Sequence, residues 1–583
     1  MAHQLTRNRS APGPLLPGLA VLRHYDRTWL RGDLLGGVTV AAYLVPQVMA
    51  YAAVAGLAPV AGLWAALAPL LVYTLLGSSR RLSVGPESTT ALMSAAAVGA
   101  VTAGDPDRYA AAAAMLAVLV GLMCLVGRLV RLGFVADLLS RPVLIGYMAG
   151  IAVLMIAGQL GKLTGLTIEA DDPLEQVAYA ARHLPDVHGP TITMALAVTL
   201  GLLVAQRFRP SWPSPMVAML LAAAVTWLAD LEARGVSTVS DIPRGLPTPG
   251  LPDVPLDVML ELALPAFGIA VVGYTDNVLT ARAFAARHHE HVDADQELLA
   301  LGAANIAVGL TQGFPVSSSG SRTVIGDTLG VKTQLHSLVA LATVLVVMVA
   351  LAPVLSTFPN AALAGVVAYA AIRLVDVAEV RRIARFRRSE LVLTATTTAG
   401  VLTLGILPGI GLAIGLSILD LLRRVARGHD GILGYVPDLP GMHDVDDYPV
   451  ATTVQGLVVY RYDSPLFFAN AEDFRHRALA AVTDAERATH EPVAWLLVNM
   501  EANVEVDLTA LDALEDLREE LASSGTTLAL TRVKQDLRVD LDRYGLSERI
   551  GPERIYPTLP TAVAAYSAEY AARHGRPPEG APH

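Results

Sequence analysis

Charged side chains are scarce in this chain. Of its 583 residues, 16% are charged and 53% are hydrophobic, whereas an average soluble protein carries roughly 25% charge. The charge is also uneven, because the 13 basic and 21 acidic side chains after position 449 account for −8 of the net −10. This composition excludes an ordinary soluble enzyme. It predicts a polytopic membrane domain followed by a soluble, acidic domain.

Cysteine is nearly absent. The single Cys124 cannot form an intramolecular disulfide, and its apolar surroundings predict a buried, inert thiol. Neither a CxxC nor an HExxH motif occurs, so no metal site is predicted. The acidic balance and the lack of basic clusters argue against a nucleic-acid partner. The polar, basic N-terminal stretch has no apolar core behind it and is not expected to be a cleaved signal peptide.

Long apolar stretches are what the chain has in abundance. No charged residue occurs from Leu34 to Ser79, which is enough sequence for two membrane spans of about 20 residues each. Further stretches up to about residue 424 bring the predicted total to about fourteen spans or half-spans. The arginines of the short loops fall on one side in this count, which predicts that both termini are cytoplasmic. The predicted boundaries are a cytoplasmic N-terminal segment 1–32, a transmembrane domain 33–427, a linker 428–449, a second domain 450–570 and a flexible tail 571–583.

Two short segments marked by glycine and proline interrupt the apolar sequence. Residues 83–90 (SVGPESTT) and 314–322 (FPVSSSGSR) each predict extended backbone followed by the start of a helix. Extended backbone at membrane depth is tolerated only where it is buried in protein or lines a cavity. The pair therefore indicates an inverted-repeat transporter, with repeats at about 33–230 and 260–425 and a binding site between the two segments.

Ionisable residues within the apolar sequence are candidates for function because burying a charge there is costly. Asp276 and Thr280 lie four residues apart on one helical face, where they could hold a proton or Na⁺ or only lock helix packing. Arg322 stands near a predicted helix N-terminus and suits an oxyanion, or it only neutralises Asp276 or Glu87. Glu87 either stabilises the start of its own helix or is a protonatable group in the site. Gln47, next to Pro46, either contacts substrate or makes an interhelical hydrogen bond.

After about Tyr448 the pattern changes to strands that alternate with helices. Strands are predicted at 456–461, 493–499 and 527–531, and helices at 471–482 and 509–523. This alternation predicts an α/β layer fold of roughly 125 residues.

Several ordered blocks of the sequence resemble the sulfate permease (SulP) family of anion transporters, over about residues 30 to 570. The resemblance implies a fourteen-span, seven-plus-seven inverted repeat with core and gate domains, a homodimer, and a cytoplasmic STAS domain that could bind a cytoplasmic partner. The blocks are PQVMAYA at 46–52, AGLAPVAGLW at 55–64, GSSRRLSVGP at 77–86, AFAAR at 283–287, ELLA at 297–300, and the segment from GFPV at 313–316 through Ser321 and Arg322 to KTQ at 332–334.

By this resemblance, the anion lies between the facing half-helices that begin near Ser88 and Ser321, and the first and eighth spans complete the pocket. The predicted substrate-binding residues are Gln47, Tyr51, Ser88, Thr89, Ser319, Gly320, Ser321 and Arg322. The predicted coupling-ion residues are Asp276, Thr280 and Glu87.

Several positions depart from the family pattern. The eighth span more often has Glu where this chain has Asp276. The Asp276–Thr280 pair is similar to the sodium site of cyanobacterial bicarbonate members, which generally lack the arginine found at Arg322. Glu87 replaces a residue that is usually small or apolar. Thr509 falls at the STAS phosphorylation position, but its neighbours depart from the motif, so a helix-capping role is favoured there.

The sequence thus predicts a secondary active transporter of small inorganic anions in the bilayer of the plasma membrane. Sulfate is the first choice of substrate, H⁺ or Na⁺ is the coupling ion, and the mechanism is elevator-like alternating access. No other cofactor and no enzymatic activity are predicted. A Na⁺-dependent bicarbonate transporter, an uncoupled anion channel and a sensor that acts through its STAS domain remain as alternatives.

Overall fold

The chain divides into two compact units, residues 1–417 and 418–583. The computed structural model describes residues 16–102, 106–133, 140–168, 170, 173–209, 211–239, 245–426 and 428–581. Three parts of the predicted domain boundaries lie outside the described residues: positions 1–15 of the N-terminal segment, position 427, and the last two residues of the predicted tail.

In its described residues, the first unit is helical apart from two very short strands. Its strands are β1 (Val84–Gly85) and β2 (Ser317–Ser318). Its helices, the last of which runs past the division at residue 417, are α1 (Pro17–Arg23), α2 (Leu30–Val54), α3 (Pro59–Leu76), α4 (Ser88–Thr102), α5 (Pro106–Leu129), α6 (Arg141–Ala157), α7 (Leu160–Thr164), α8 (Pro173–Arg182), α9 (Gly189–Phe208), α10 (Ser214–Leu228), α11 (Leu256–His288), α12 (Ala294–Leu310), α13 (Gly320–Thr328), α14 (Leu335–Ala350), α15 (Ala352–Ser356), α16 (Asn360–Leu374), α17 (Val377–Phe386), α18 (Arg388–Leu404) and α19 (Ile406–Ala426).

The order of the elements is repeated along the first unit. The succession α2, α3, β1, α4, α5 returns as α11, α12, β2, α13, α14. The two strands pair antiparallel, with Val84 opposite Ser318 and Gly85 opposite Ser317. Both interrupted segments therefore have the predicted form of extended backbone followed by a helix. Their pairing brings the starts of α4 and α13 together.

The helices of the first unit pack as two groups. The core helices are α2–α5 and α11–α14, in which α5 packs on α12 and α2 on α14. The gate helices are α6–α10 and α16–α18, in which α6 packs on α18 and α9 on α16. Glycine permits the closest approaches: a Cβ at Gly62 would lie 1.9 Å from the carbonyl oxygen of Val48, and one at Gly146 would lie 2.3 Å from that of Thr394.

Helix lengths fit a membrane protein. Among the described residues, six helices are long and apolar enough to cross a bilayer, and four shorter apolar helices accompany them. Helix α11 has 33 residues, or about 50 Å at about 1.5 Å per residue. It is therefore longer than a hydrocarbon core of about 30 Å. The total of about fourteen spans stays a prediction.

The second unit is a six-stranded sheet with helices on both faces. The strand order is β4-β3-β5-β6-β7-β8, parallel from β5 to β8 and antiparallel at β3 and β4. The strands and helices predicted from the sequence are confirmed. The elements are β3 (Asp430–Tyr435), β4 (Met442–Asp444), β5 (Leu457–Tyr462), α20 (Ala471–Thr489), β6 (Trp495–Asn499), α21 (Leu508–Ser523), β7 (Thr527–Thr531), α22 (Gln535–Tyr544), α23 (Leu546–Ile550), β8 (Ile555–Tyr556) and α24 (Leu559–His574).

Three expectations for this part of the chain are corrected. The stretch 428–449, predicted as a linker, supplies β3 and β4. The stretch from 571, predicted as a flexible tail, continues α24 to His574, and the N–H of Gln455 donates to the carbonyl oxygen of Glu579 at 2.9 Å. Thr509 does not cap α21, because the carboxylate of Asp507 caps it by accepting from the N–H of Ala510 at 2.9 Å.

Candidate functional site

A cavity of about 300 Å³ lies between the core helices and the gate helices. Its wall is formed by the middle of α2 and α11, the start of α4, and the segment from β2 into α13. On the gate side it is formed by α6, α9, α10 and α16. Ten of the eleven residues predicted for the site line this cavity: Gln47, Tyr51, Glu87, Ser88, Thr89, Asp276, Thr280, Ser319, Gly320 and Ser321.

Hydrogen bonds between the two repeats fix the start of α13. The N–H of Ser319 donates to the carbonyl oxygen of Ser83 at 2.9 Å, and the N–H of Ser83 donates to Thr323 Oγ1 at 3.0 Å. Asn305 holds β2 through Val316, accepting from its N–H at 2.9 Å and donating to its carbonyl oxygen at 3.1 Å. No side chain caps α13 at Ser319. The first N–H groups of a helix have no acceptor within the helix, so this end can receive an anion.

The start of α4 differs because Glu87 covers it. The Glu87 carboxylate accepts from the N–H of Thr89 at 2.7 Å and from the Ser88 hydroxyl at 2.6 Å. Glu87 therefore caps its own helix, as one of the two readings of the sequence has it, while it also lines the cavity. The N–H of Thr89 and the hydroxyl of Ser88, which were expected to face the anion, are therefore already bound to a carboxylate.

Arg322 does not line the cavity, although the sequence predicted that it would bind the anion. Its side chain is fully buried and lies behind the cavity wall. Nη1 donates to the carbonyl oxygen of Pro86 at 3.0 Å and to Gln47 Oε1 at 3.4 Å, and Nε donates to Ser83 Oγ at 3.3 Å. In the described part of the chain, no carboxylate lies within 4 Å of the guanidinium group, so Arg322 neutralises neither Asp276 nor Glu87 by a direct ion pair.

The direction of Arg322 follows from helix geometry. Successive residues of an α-helix are rotated by about 100°, so the third residue of α13 points away from the cavity that its first two residues line. A chain of hydrogen bonds links the guanidinium group to the cavity, because Arg322 donates to Gln47 Oε1 and Gln47 Nε2 donates to the Tyr51 hydroxyl at 3.0 Å. Both of these side chains are buried and line the cavity. The guanidinium group thus orients the polar side chains of α2 from behind.

Asp276 joins α11 to the strand pair. Its carboxylate accepts from Ser318 Oγ at 2.9 Å. Thr280, one turn later, lines the same cavity. The pair therefore shares a face, as its spacing predicts, and that face is directed at the cavity.

The wall formed by the gate helices was not predicted from the sequence. Tyr369 on α16 donates a hydrogen bond to Gln206 on α9, and both line the cavity. Arg373, one turn after Tyr369, also lines it and makes no ion pair among the described residues. Its position at the end of an apolar helix could have marked Arg373 as a candidate in the sequence. Arginines near helix ends were used there only to predict topology.

The charged groups of the site are balanced. Glu87, Asp276 and Arg373 line the cavity, and Arg322 lies directly behind it. Two carboxylates and two guanidinium groups have no net charge when all of them are ionised.

Comparison with known proteins places the chain among described relatives. The model of the sulfate permease family matches residues 30–397, and that of the STAS domain matches residues 448–562. The chain is 56% identical over 550 residues to a probable sulfate transporter of Mycobacterium tuberculosis (strain CDC 1551 / Oshkosh), which covers 94% of this chain and 98% of the relative.

Two solved structures share the fold. The murine Slc26a9 anion transporter in its inward-facing state has a TM-score of 0.86 at 23% identity and covers 97% of each chain. The transmembrane domain of the cyanobacterial bicarbonate transporter BicA has a TM-score of 0.59 at 23% identity and covers 67% of this chain and 99% of its own. The helical membrane fold followed by a STAS domain is thereby confirmed. With the family model matching more than half of its length, the chain belongs to the sulfate permease family.

Proposed function

We propose that this protein is a secondary active transporter that moves sulfate together with H⁺ or Na⁺. The core helices move against the gate helices and expose the cavity to either side of the plasma membrane in turn. The observation that carries the proposal is the cavity itself, which lies between the two helix groups where the paired segments of the two repeats meet. We further propose that the protein is a homodimer, that both termini are cytoplasmic, and that the STAS domain binds a cytoplasmic partner.

The donors around the cavity suit an oxyanion. Sulfate accepts hydrogen bonds and has none to donate at neutral pH. The uncapped start of α13, the hydroxyls of Ser319 and Ser321, and the Gln47–Tyr51 pair supply donors from several directions. Helix N-termini favour anions through their free N–H groups and the helix dipole. The relative from Mycobacterium tuberculosis is named a probable sulfate transporter, which supports sulfate as the first choice.

Charge balance supports coupling to a cation. A sulfate ion added to the site as it stands would bring its formal charge to −2, and an excess charge in a low-dielectric cavity is costly. A proton or Na⁺ at Asp276 lowers that cost, so binding of either ligand favours the other. Protonation of Glu87 would act at a second point, because a neutral side chain holds the N–H of Thr89 less strongly.

Sodium-dependent bicarbonate transport is the second candidate. Asp276 and Thr280 face the cavity together, and they resemble the sodium site of the bicarbonate members of the family. The fold is shared with a bicarbonate transporter. Bicarbonate carries one charge, so it needs less compensation by a cation than sulfate does.

Uptake into proteoliposomes tests both candidates. The purified protein is reconstituted, and radiolabelled sulfate or bicarbonate is offered under an imposed proton gradient, an imposed sodium gradient, or neither. We expect saturable sulfate uptake that one of the two gradients accelerates and that excess unlabelled sulfate abolishes. Sodium-driven bicarbonate uptake without sulfate competition would select the second candidate. Uptake of sulfate that neither saturates nor responds to a gradient would indicate a channel.

A further inference from the structure

A second, apolar groove lies on the gate helices between α9 and α10. It has a volume of about 750 Å³ and is lined mainly by aliphatic side chains, alanines and glycines, together with Thr193, Trp212 and Ser214. Its lining runs along α9 from Gly189 to Ala205, which is about 24 Å at about 1.5 Å per residue. A groove of this length and polarity on a membrane-spanning helix pair fits one extended acyl chain.

Open space along the groove is confirmed at Gly201. A Cβ built on this residue would meet no atom within 4 Å. The groove is thus a depression in the helix pair that the neighbouring side chains leave unfilled.

One end of the groove carries positive charge without a partner. Arg207 and Arg209 lie at the end of α9, both are exposed, and neither makes an ion pair among the described residues. The Arg209 guanidinium group lies 5.9 Å from the ring centroid of Trp212, which lines the groove. The positive-inside rule predicts that this end is cytoplasmic. Basic side chains there attract the acidic lipid headgroups of the inner leaflet.

We propose that this groove binds an acidic phospholipid, with an acyl chain between α9 and α10 and the headgroup phosphate at Arg207 and Arg209. The two features select the occupant together, because a free phosphate cannot fill the apolar groove and the arginines attract a lipid without net charge less strongly. The site also adjoins the transport cavity. Ser214, at the start of α10, lines both the groove and the cavity, so a bound lipid supports the gate wall from its outer side.

Lipid binding to the full chain tests the proposal without reference to transport. The purified protein in detergent is titrated with phosphatidylglycerol or phosphatidylcholine, and bound lipid is counted by native mass spectrometry. We expect phosphatidylglycerol to bind at least about tenfold more tightly. The double variant Arg207→Gln/Arg209→Gln should reduce that affinity to the level of phosphatidylcholine. The variant Gly201→Trp, which fills the groove, should weaken the binding of both lipids.

Matched controls separate this site from general charge and helix effects. Arg385→Gln/Arg388→Gln removes two exposed arginines without ion pairs among the described residues. Gly411→Trp adds the same bulk at another glycine with no atom within 4 Å of its Cβ position. Both controls should bind phosphatidylglycerol as the parent chain does. Equal binding of the two lipids by the parent chain, or a preference that survives the Arg207/Arg209 variant, overturns the proposal. Dissociation of an oligomer by Gly201→Trp overturns it as well, since the groove would then be an interface between copies.

Discussion

In the proposed mechanism, Asp276 is the residue on which cation coupling depends most directly. It lines the cavity and is held by Ser318 Oγ at 2.9 Å. In the variant Asp276→Asn the side chain keeps its size but can neither release a proton nor offer a full negative charge to Na⁺. We expect sulfate uptake in proteoliposomes to become independent of the imposed gradient and to slow by about tenfold or more, because each 1.36 kcal/mol of lost stabilisation costs a factor of ten.

A variant of Glu87 is the control for this prediction. The variant Glu87→Gln removes the other carboxylate of the cavity, and its amide oxygen can still accept from the N–H of Thr89. If Asp276 is the coupling residue, the Glu87 variant keeps its dependence on the gradient. A gradient dependence lost in the Glu87 variant and kept in the Asp276 variant would move the role to Glu87.

Arg373 should act on substrate capture. It is exposed, lines the cavity from α16 and makes no ion pair among the described residues, so its replacement breaks no ion pair there. The variant Arg373→Gln should raise the KM for sulfate by about three- to tenfold and leave the melting temperature within about 1 °C. The KM of the parent chain should also depend more steeply on ionic strength, because salt screens an exposed charge. An unchanged KM at low salt would contradict this role.

At the scale of elements, the strand pair depends on Asn305. This buried side chain on α12 makes two hydrogen bonds to the backbone of Val316, next to β2. Asn305→Leu leaves a buried N–H and a buried carbonyl oxygen without partners, at a cost of about 1–3 kcal/mol each. We therefore expect a lower melting temperature of the purified protein and loss of saturable sulfate uptake.

A conservative change at Asn305 is the control. Asn305→Gln keeps both a donor and an acceptor on a side chain that is one methylene longer, so its melting temperature should fall between those of the parent chain and the leucine variant. A leucine variant as stable and as active as the parent chain would show that β2 does not need this side chain.

Helix α21 contains a carboxylate, Glu515, whose contribution to the stability of the fold depends on pH. Glu515 accepts two hydrogen bonds from Arg518, at 2.9 and 3.0 Å, and Arg549 lies 3.2 Å away. The hydrogen bonds from Arg518 lower the pKa of Glu515. A lowered folded-state pKa stabilises the fold above the unfolded value of about 4.3, and this contribution is lost as the pH falls through the folded-state value.

The variant Glu515→Gln tests this contribution in a fragment spanning residues 428–581. We expect the free energy of unfolding in urea to fall by about 1 kcal/mol at pH 7, and the difference from the parent fragment to shrink below about pH 4. Glu519→Gln is the matched control, because Glu519 is exposed and lies 3.4 Å from Arg518, so its effect should be small at both pH values. An effect of Glu515→Gln that is equal at pH 7 and below pH 4 would contradict the assignment.

Local sequence signals predict the elements of the site better than they predict its walls. The segments at β1 and β2 were predictable because Gly85-Pro86 and Pro315 interrupt helical sequence within a few residues. The contact of Arg322 with Gln47 and the wall of Tyr369 and Gln206 arise from packing between distant segments, for which no local pattern exists. Strands β3 and β4 were missed because they lie among glycines and prolines typical of loops, and because β4 has only three residues.

At the scale of the whole molecule, the proposed alternating access requires the core helices to move relative to the gate helices. The two groups touch at the cavity, where Thr89 Oγ1 on α4 lies 3.7 Å from Met148 Sδ on α6. Joining these positions should hold the groups in one arrangement. The native chain is a suitable background for introduced cysteines, because its only cysteine, Cys124, is buried.

The double variant Thr89→Cys/Met148→Cys should therefore lose sulfate uptake when treated with a short, reducible bifunctional thiol reagent and regain it on reduction. Reversal by the reductant separates the effect of the cross-link from any loss caused by the substitutions, since Thr89 lines the cavity. Each single variant, given the same reagent and reductant, measures the block that an adduct on one thiol causes, and the reversible block of the double variant should exceed that of either single variant. The contrary outcome is uptake at full rate although mass spectrometry shows the cross-link. It would mean that the two groups do not separate at this contact during transport. The elevator-like mechanism would then have to be abandoned.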